Sequence, residues 1–555
     1  MSKVCGLIKN ELIKQYKKTS VKVIIILILL ASIAFPVAIE LLNNGGNEKW
    51  HIQDYKNQIQ WQTTEMANID NSKKNSEIQK KIYEESIKRL QVSIDSNISY
   101  EDWRNEVVNE GSMKAKEAIV LSGIIDGLSK EELFNNINDF DVNTFNEYYD
   151  MTKEDVKKEM DKKLKESSDL YVTVEKNDYL VYLENSMKSF NVEIKQMKEY
   201  IKTLEEDISK DKDNQELKVS LEKSKIQLAM IEDRLEATKY RYDNKISYDE
   251  KDWKNKTIRD IAYNIDSEGE TFLNEEMFKQ QYIDQIANGL TYDDYKANFE
   301  ENKKAIEEKI ALHWYSLEND IPQVEFSDDA RSSIDKTYLI YVSITIILCI
   351  IIGGGIVSSE YSTGTVRLLM IRPVSRYKIL LSKLVSVFII GYGVLICTVI
   401  LNIISSGVVH GFGGFGTPVI AFVNGTIVEQ NYIMSIIPGL LFSSISLIFI
   451  IAVVFTISTV IKNTALAVGL TTVGYLGSSP ALMIMLTLKM NWVSKTIIPY
   501  VNLSSFVGES YMIDMIKTQY NVALNPTMGA VQLLIISAIL IGVSFLVFTR
   551  ADVKN

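Results

Sequence analysis

The chain of 555 residues carries 71 acidic and 60 basic side chains, for a formal charge of −11, with only three cysteines (Cys5, Cys349, Cys397) and three histidines (His51, His313, His410). No cysteine lies in the polar middle of the chain, so that region has no disulfide framework and no thiolate metal site, and the scattered histidines suggest no ligand cluster. The mean hydropathy is near zero because two compositions are joined. Residues 43–335 hold 64 acids and 42 bases, whereas the first 42 residues net +4 and residues 336–555 net +7. The acidic middle would repel phosphate, so nucleic acid is excluded as its partner, and the apolar ends point to a membrane.

The first 20 residues, "MSKVCGLIKNELIKQYKKTS", predict an amphipathic elbow helix. One arc takes Val4, Cys5, Ile8, Leu12 and Tyr16; Lys3, Asn10, Lys14 and Lys17 lie opposite, and Leu7 and Ile13 break the pattern. Such a helix suits anionic headgroups, with Ile8 and Leu12 inserted and Lys3 and Lys14 at the charge layer. "VKVIIILILLASIAFPVAIELL" (21–42) follows; it is long enough to span a bilayer and has no small-residue cleavage site, so it predicts an uncleaved first span.

Residues 43–335 are rich in Lys, Glu, Asn and Ile and poor in Pro and Gly, which favours long helices. Periodicity predicts one helix at about 47–95, shorter helices over 99–180, and another helix at 298–320. The clearest pattern lies at 190–243. Ile194, Met197, Ile201, Leu204 and Ile208 step by three and four, and after "SKDKDN" the stepping resumes at Leu217, Leu221, Leu228, Ile231, Leu235 and Tyr242. It predicts an antiparallel coiled-coil hairpin. Three similar tags recur, "SYEDWRNEV" (99–107), "SYDEKDWKNK" (247–256) and "TYDDYKANFEEN" (291–302); related lobes and chance in a biased composition both account for them. No calcium-loop pattern occurs. Acids interleaved with Tyr, Trp and Phe would suit a cationic amphipathic peptide.

Five further apolar stretches predict spans at 337–357, 379–404, 432–461, 464–488 and 528–548. The fifth span, 464–488, is Gly- and Ser-rich and contains Pro480. Between spans two and three lies a basic connector, 358–378, containing Arg367, Arg372, Arg376 and Lys378 with Glu360 as its one acid. Gly364 and Thr365 predict a turn and a capped helix start, and Pro373 a stop. Val366, Leu369 and Met370 would share one face of that short helix, and Glu360 could pair with Arg367 or Arg376. Ser375 is a candidate cap for the next helix. With six spans, the N-terminal arm, the connector, Lys462 and the tail 549–555 all fall on one side, which the positive-inside rule makes cytoplasmic. The acidic region, the Gly-rich loop 405–431 and the segment 489–527 fall outside.

"EYSTGTVRLLMIRPVSRYKILLSKL" resembles the first cytoplasmic loop of the ABC-2 (type V) family of ATP-binding-cassette transporter permeases, and "FTRADV" is similar to that family's ending of the last span. The fold implied is an all-α membrane protein with six transmembrane helices and, here, a large mostly helical extracellular domain between spans one and two. The resemblance implies a permease subunit in a bacterial plasma membrane, with both termini cytoplasmic. Its expected partners are a second permease, identical or not, two copies of an ATPase subunit and membrane lipid. Glu360, Gly364, Thr365, Arg367, Leu368, Leu369, Pro373 and Arg376 would couple it to the ATPase. ATP and Mg would sit on that partner, for no Gly-x-x-x-x-Gly-Lys-Ser/Thr loop occurs here; this chain is expected to be no enzyme and to bind no cofactor. The segment 489–527 resembles the family's re-entrant helices.

The resemblance implies a path at the dimer interface lined by spans two and five, with Thr345, Thr471, Thr472, Ser478 and Ser479 as candidate polar liners, although such hydroxyls also bond back to their own helix. Lys383 would snorkel to the interface, and Asn402 is a second polar intruder. The scarcity of mid-membrane charge disfavours an ion-coupled carrier. The function expected is ATP-driven export of something amphipathic, an antimicrobial peptide or a lipid-like molecule. The alternative is a membrane-anchored surface receptor or scaffold that transports nothing.

Overall fold

A computed structural model describes residues 2–45, 50–211, 214–269, 272–287, 289–366, 374–508 and 511–550. These residues are overwhelmingly helical and form two compact units: residues 1–40 with 272–555, and residues 41–271.

Among the described residues, six helical stretches are long and apolar enough to cross a membrane: Thr19–Leu41, Ala330–Ser362, Arg376–His410, Tyr432–Val460, Thr464–Thr487 and Pro526–Arg550. They are called spans one to six. Spans two and three extend well past the apolar runs in the sequence: span three is one helix from Arg376 to His410, and span two is Tyr338–Ile356 with a short helix at each end, Ala330–Asp335 and Ser358–Ser362. Span five stays one helix despite Pro480.

Span two lies at the centre. In its most apolar window 72% of residues are buried, against 17% for span one and 22% for spans five and six. It packs on spans three, four and five, which explains why it is apolar all round. Two glycines set its distance from its neighbours. A Cβ on Gly353 would lie 2.6 Å from Val454 Cγ1 of span four, and one on Gly354 would lie 2.5 Å from Val468 Cγ2 of span five. Asn402 of span three is fully buried; its amide donates to Thr337 at 2.8 Å and its carbonyl accepts from Tyr341 at 3.1 Å. The polar intruder is thus a clamp between spans two and three.

The loop between spans three and four contains an antiparallel hairpin, β1 (Val419–Val423) and β2 (Thr426–Gln430). Asn424 and Gly425 both have positive φ, as a two-residue primed turn demands. The sequence VIAFV-NG-TIVEQ carries this signal openly, so the all-helical expectation fails here. At the same end of the bundle, Arg331 is fully buried and bonds to Asp329 at 2.8 Å and to the carbonyls of Pro322, Thr417 and Pro418. Its own carbonyl accepts from Tyr432. One guanidinium fork therefore fastens the start of span two to the base of the hairpin and, through its backbone, to span four.

Between spans five and six the segment 489–527 forms three short 3-10 turns, Asn491–Lys495, Ile498–Tyr500 and Leu503–Phe506, followed by the helix Tyr511–Tyr520. Val493, Tyr500, Leu503 and Ile516 bury themselves in the core of the spans.

In the second unit the helix expected at 47–95 is two, Trp50–Ala67 and Ser76–Asp95. "NIDNSKKN" interrupts it, with the Asp70 carboxylate accepting from the Ser72 N–H in an Asx turn. The helices Tyr179–Lys210 and Gln215–Asp243 pack together and bury Ile201, Leu204 and Ile231. Ion pairs Lys198–Glu232 at 2.8 Å and Lys225–Glu205 at 2.9 Å show that they run in opposite directions. The repeated tags are helix starts. Asp102, Asp252 and Thr291 are the N-caps of helices beginning at Trp103, Trp253 and Tyr292, each accepting from backbone N–H groups. Shared capping chemistry accounts for their likeness.

Candidate functional site

The N-terminal helix, Ser2–Lys17, packs on span three. Its half-buried and buried positions are Val4, Leu7, Ile8, Glu11, Leu12, Gln15 and Lys18, while Cys5 and Tyr16 are exposed. The stripe is therefore rotated from the one expected: Leu7 belongs to it, Cys5 and Tyr16 do not, and two polar side chains point inward. Ile8 and Leu12 lie on this protein-facing stripe.

Through Lys14 this helix meets the end of span two, and through Glu11 it meets span three. The Glu360 carboxylate is almost fully buried. One oxygen accepts from Lys14 and, at 3.1 Å, from Lys383; the other accepts from the Thr365 hydroxyl. Lys383, 1% exposed, also donates to Glu11 at 3.1 Å and to the Ile356 carbonyl at 3.1 Å. All three ammonium protons thus have acceptors. Burial, with Lys14 and Lys383 nearby, lowers the pKa of Lys18. One oxygen each of Glu11 and Gln15 is buried with no hydrogen-bond partner.

Glu360 pairs with Lys14 and Lys383, and Arg376 donates to the Thr549 carbonyl of span six at 3.2 Å. One expectation is corrected. Lys383 does not snorkel to an interface; it is held inside by two carboxylates and a carbonyl, which return the solvation it would lose on burial. Arg367, Leu368, Leu369 and Pro373 lie outside the described residues.

Local chemistry shapes this end of span two. The Gly354 carbonyl accepts from Ser358 at 2.6 Å and from Ser458 at 2.8 Å, and Ser358 also bonds to Thr464 at 2.6 Å. The helix stops after Ser362, and Gly364 turns the chain at φ +71, a conformation glycine adopts without strain. The Thr365 hydroxyl bonds to Glu360, so it closes the helix behind it; the residues it was expected to cap lie beyond the described ones. Ser375 occupies the N-cap of span three without a side-chain bond. The Lys462 ammonium lies 4.6 Å from the centre of the Tyr361 ring.

The chain entering the connector is therefore bound on three sides: by the N-terminal helix, by span three, and by the ends of spans four and five. The charges neutralise one another, so the cluster acts as a joint. Sequence reading found Glu360, Gly364, Thr365 and Lys14 but missed Glu11 and Gln15. The available signal was an acid and an amide at i and i+4 on an otherwise basic amphipathic helix.

The residues expected to line a path lie on spans two and five, which pack against each other. Thr345 and Thr471 are buried, and their hydroxyls have no hydrogen-bond partner. Ser478 bonds back to the Tyr475 carbonyl, Thr472 is half-buried and Ser479 is exposed.

A family described as "Protein of unknown function (DUF2705)" matches residues 311–554. That stretch takes in spans two to six with the joint's Glu360 and Lys383, and omits the N-terminal helix, span one and the second unit. The chain is similar to "Uncharacterized protein YhcI" of Bacillus subtilis (strain 168), with 28% identity over 262 residues, covering 46% of this chain and 78% of the relative. No solved structure matches the chain.

Proposed function

We propose that this chain is the membrane subunit of an ABC-2-type exporter in a bacterial plasma membrane, moving an amphipathic substrate outward with force from separate ATPase chains. The observation that carries the reading is the joint at Glu360. A helix that rests on a motor must not slide independently of the spans it drives, and here ion pairs fasten the mouth of the connector to two other elements. Movement of the connector is thereby shared among span two, span three and the N-terminal helix. The hydroxyl contacts of Ser358, Ser458 and Thr464 carry it on to spans four and five. The Gly-Thr turn and the sequence around it supply the resemblance to the permease family.

Lys14, Lys383 and Lys462 gather at one end of the bundle with Glu360. The positive-inside rule makes that end cytoplasmic, and parity places the β hairpin and residues 41–271 outside. Two permease chains and two ATPases complete the assembly.

The test is co-purification. Tagged full-length protein is extracted in mild detergent from its own host, and its partners are identified by mass spectrometry. A chain with a phosphate-cradling Gly-x-x-x-x-Gly-Lys-Ser/Thr loop should accompany it, and Gly364→Pro should release that chain while leaving the permease folded. Recovery of no such ATPase, or ATP hydrolysis by this chain alone, would overturn the reading and favour a membrane-anchored scaffold.

A further inference from the structure

The second unit contains a cleft of about 1040 Å³ walled by the helices Trp103–Ile125, Tyr179–Lys210, Gln215–Asp243 and Trp253–Glu268. Its floor is aromatic. Trp103 is buried, with its ring centre 4.8 Å from that of Tyr182 and 6.2 Å from that of Tyr248. Basic and acidic side chains both line the cleft, but they are not equally available. Arg234 is paired with Asp266, and Arg259 with Glu101. Arg241 is buried, donates to Asn255 at 2.8 Å and lies 4.0 Å over the Tyr248 ring. Every arginine of the lining is thus engaged within the protein.

Three carboxylates are held less firmly. Glu106 and Glu110 sit one turn apart on the Trp103–Ile125 helix, and Glu193 faces the same cleft from the Tyr179–Lys210 helix. Among the described residues none has a cation within ion-pair distance. Glu106 accepts from the Tyr182 hydroxyl at 2.9 Å and Glu193 from Ser189 at 3.1 Å. All three are exposed, so an entering ligand can reach them. Uncompensated carboxylates in a concavity with low-dielectric walls concentrate a negative field, and aromatic faces beside them favour a cation with apolar surface attached.

We infer that this cleft binds the basic side chains of a cationic, amphipathic peptide, with Glu106, Glu110 and Glu193 holding its ammonium or guanidinium groups and Trp103, Tyr182 and Tyr248 meeting its apolar ones. That the bound peptide is cargo rests on the export reading; the binding itself does not.

The experiment uses the full chain in nanodiscs of zwitterionic lipid, with a fluorescein-labelled amphipathic helix of leucine and lysine as probe and its leucine–glutamate counterpart as control. Anisotropy should report saturable binding of the basic peptide alone. The variant Glu106→Gln/Glu110→Gln/Glu193→Gln should weaken it at least tenfold, about 1.4 kcal/mol. The variant Glu154→Gln/Asp161→Asn/Glu175→Gln, which removes the same charge from exposed positions outside the cleft, should leave it unchanged. Equal loss in both variants, equal binding of the acidic peptide, or no binding would overturn the assignment. Circular dichroism verifies that each variant is folded. If the ATPase co-purifies and the peptide fails to bind, only this inference falls; if the peptide binds and no ATPase is recovered, only the export reading falls.

Discussion

Lys383 lies in the interior of a helix bundle, and its neighbours explain how a lysine can be buried there. Two carboxylates and one carbonyl accept its three protons, and Glu360 shares one of its oxygens with Lys14. Removing one partner from such a set leaves an uncompensated buried charge, at a cost of roughly 3–5 kcal/mol. Lys383→Met and Glu360→Gln should therefore each lower the melting temperature of the purified protein sharply. The double variant should lose less than the sum, with a coupling of about 1–3 kcal/mol. Strict additivity in thermal unfolding would mean that the pair does not interact. Lys14 is half exposed, so Lys14→Ala should cost no more than about 1 kcal/mol, as solvent screens that contact.

The packing of spans two, four and five turns on the run Gly353, Gly354 and Gly355. A methyl group added at the first two positions meets valine branches at 2.6 and 2.5 Å, whereas at Gly355 its nearest neighbour is Thr464 Cγ2 at 3.6 Å. β-Branched side chains cannot swing aside cheaply. Gly353→Ala and Gly354→Ala should each destabilise the bundle by about 1–3 kcal/mol, and Gly355→Ala should be nearly neutral. The order of melting temperatures in detergent tests this directly; three equal effects would mean the glycines serve flexibility rather than close approach. The β hairpin follows the same logic at its turn, where Asn424 and Gly425 adopt positive φ and fix the pairing of Val419 with Gln430.

The whole molecule combines two kinds of core. Residues 41–271 bury separate clusters around Leu121 and Leu133 and around Trp103 and Val108, while the spans share a large apolar core, with a smaller cluster of Ile334, Tyr338, Tyr432 and Ile436 beside it. Urea weakens burial of apolar groups from water, but detergent keeps the spans apolar in either state. The two units should therefore unfold in separate steps. Four of the six tryptophans, Trp50, Trp61, Trp103 and Trp253, lie in the second unit. Most of the fluorescence change should accompany the first step, with much helical circular dichroism surviving it. A single concerted transition would show that the units stabilise each other.

Composition and periodicity alone determined that this chain has six apolar helices and a charged helical region, because both follow from local patterns: runs of about 20 apolar residues, and apolar steps of three and four. The turn at Gly364 was legible for the same reason. Which charges meet was not, since Lys14, Glu360 and Lys383 are separated by hundreds of residues or by a whole turn of chain, and only packing of the N-terminal helix on span three brings them together. The same holds for Arg331, whose acceptors come from three segments, and for the cleft, where four helices must assemble before it is evident which carboxylates have no arginine. Local sequence fixes what each helix can bury; which polar group answers which is decided by the tertiary fold, because an ion pair depends on distance in space and leaves no periodic trace along the chain.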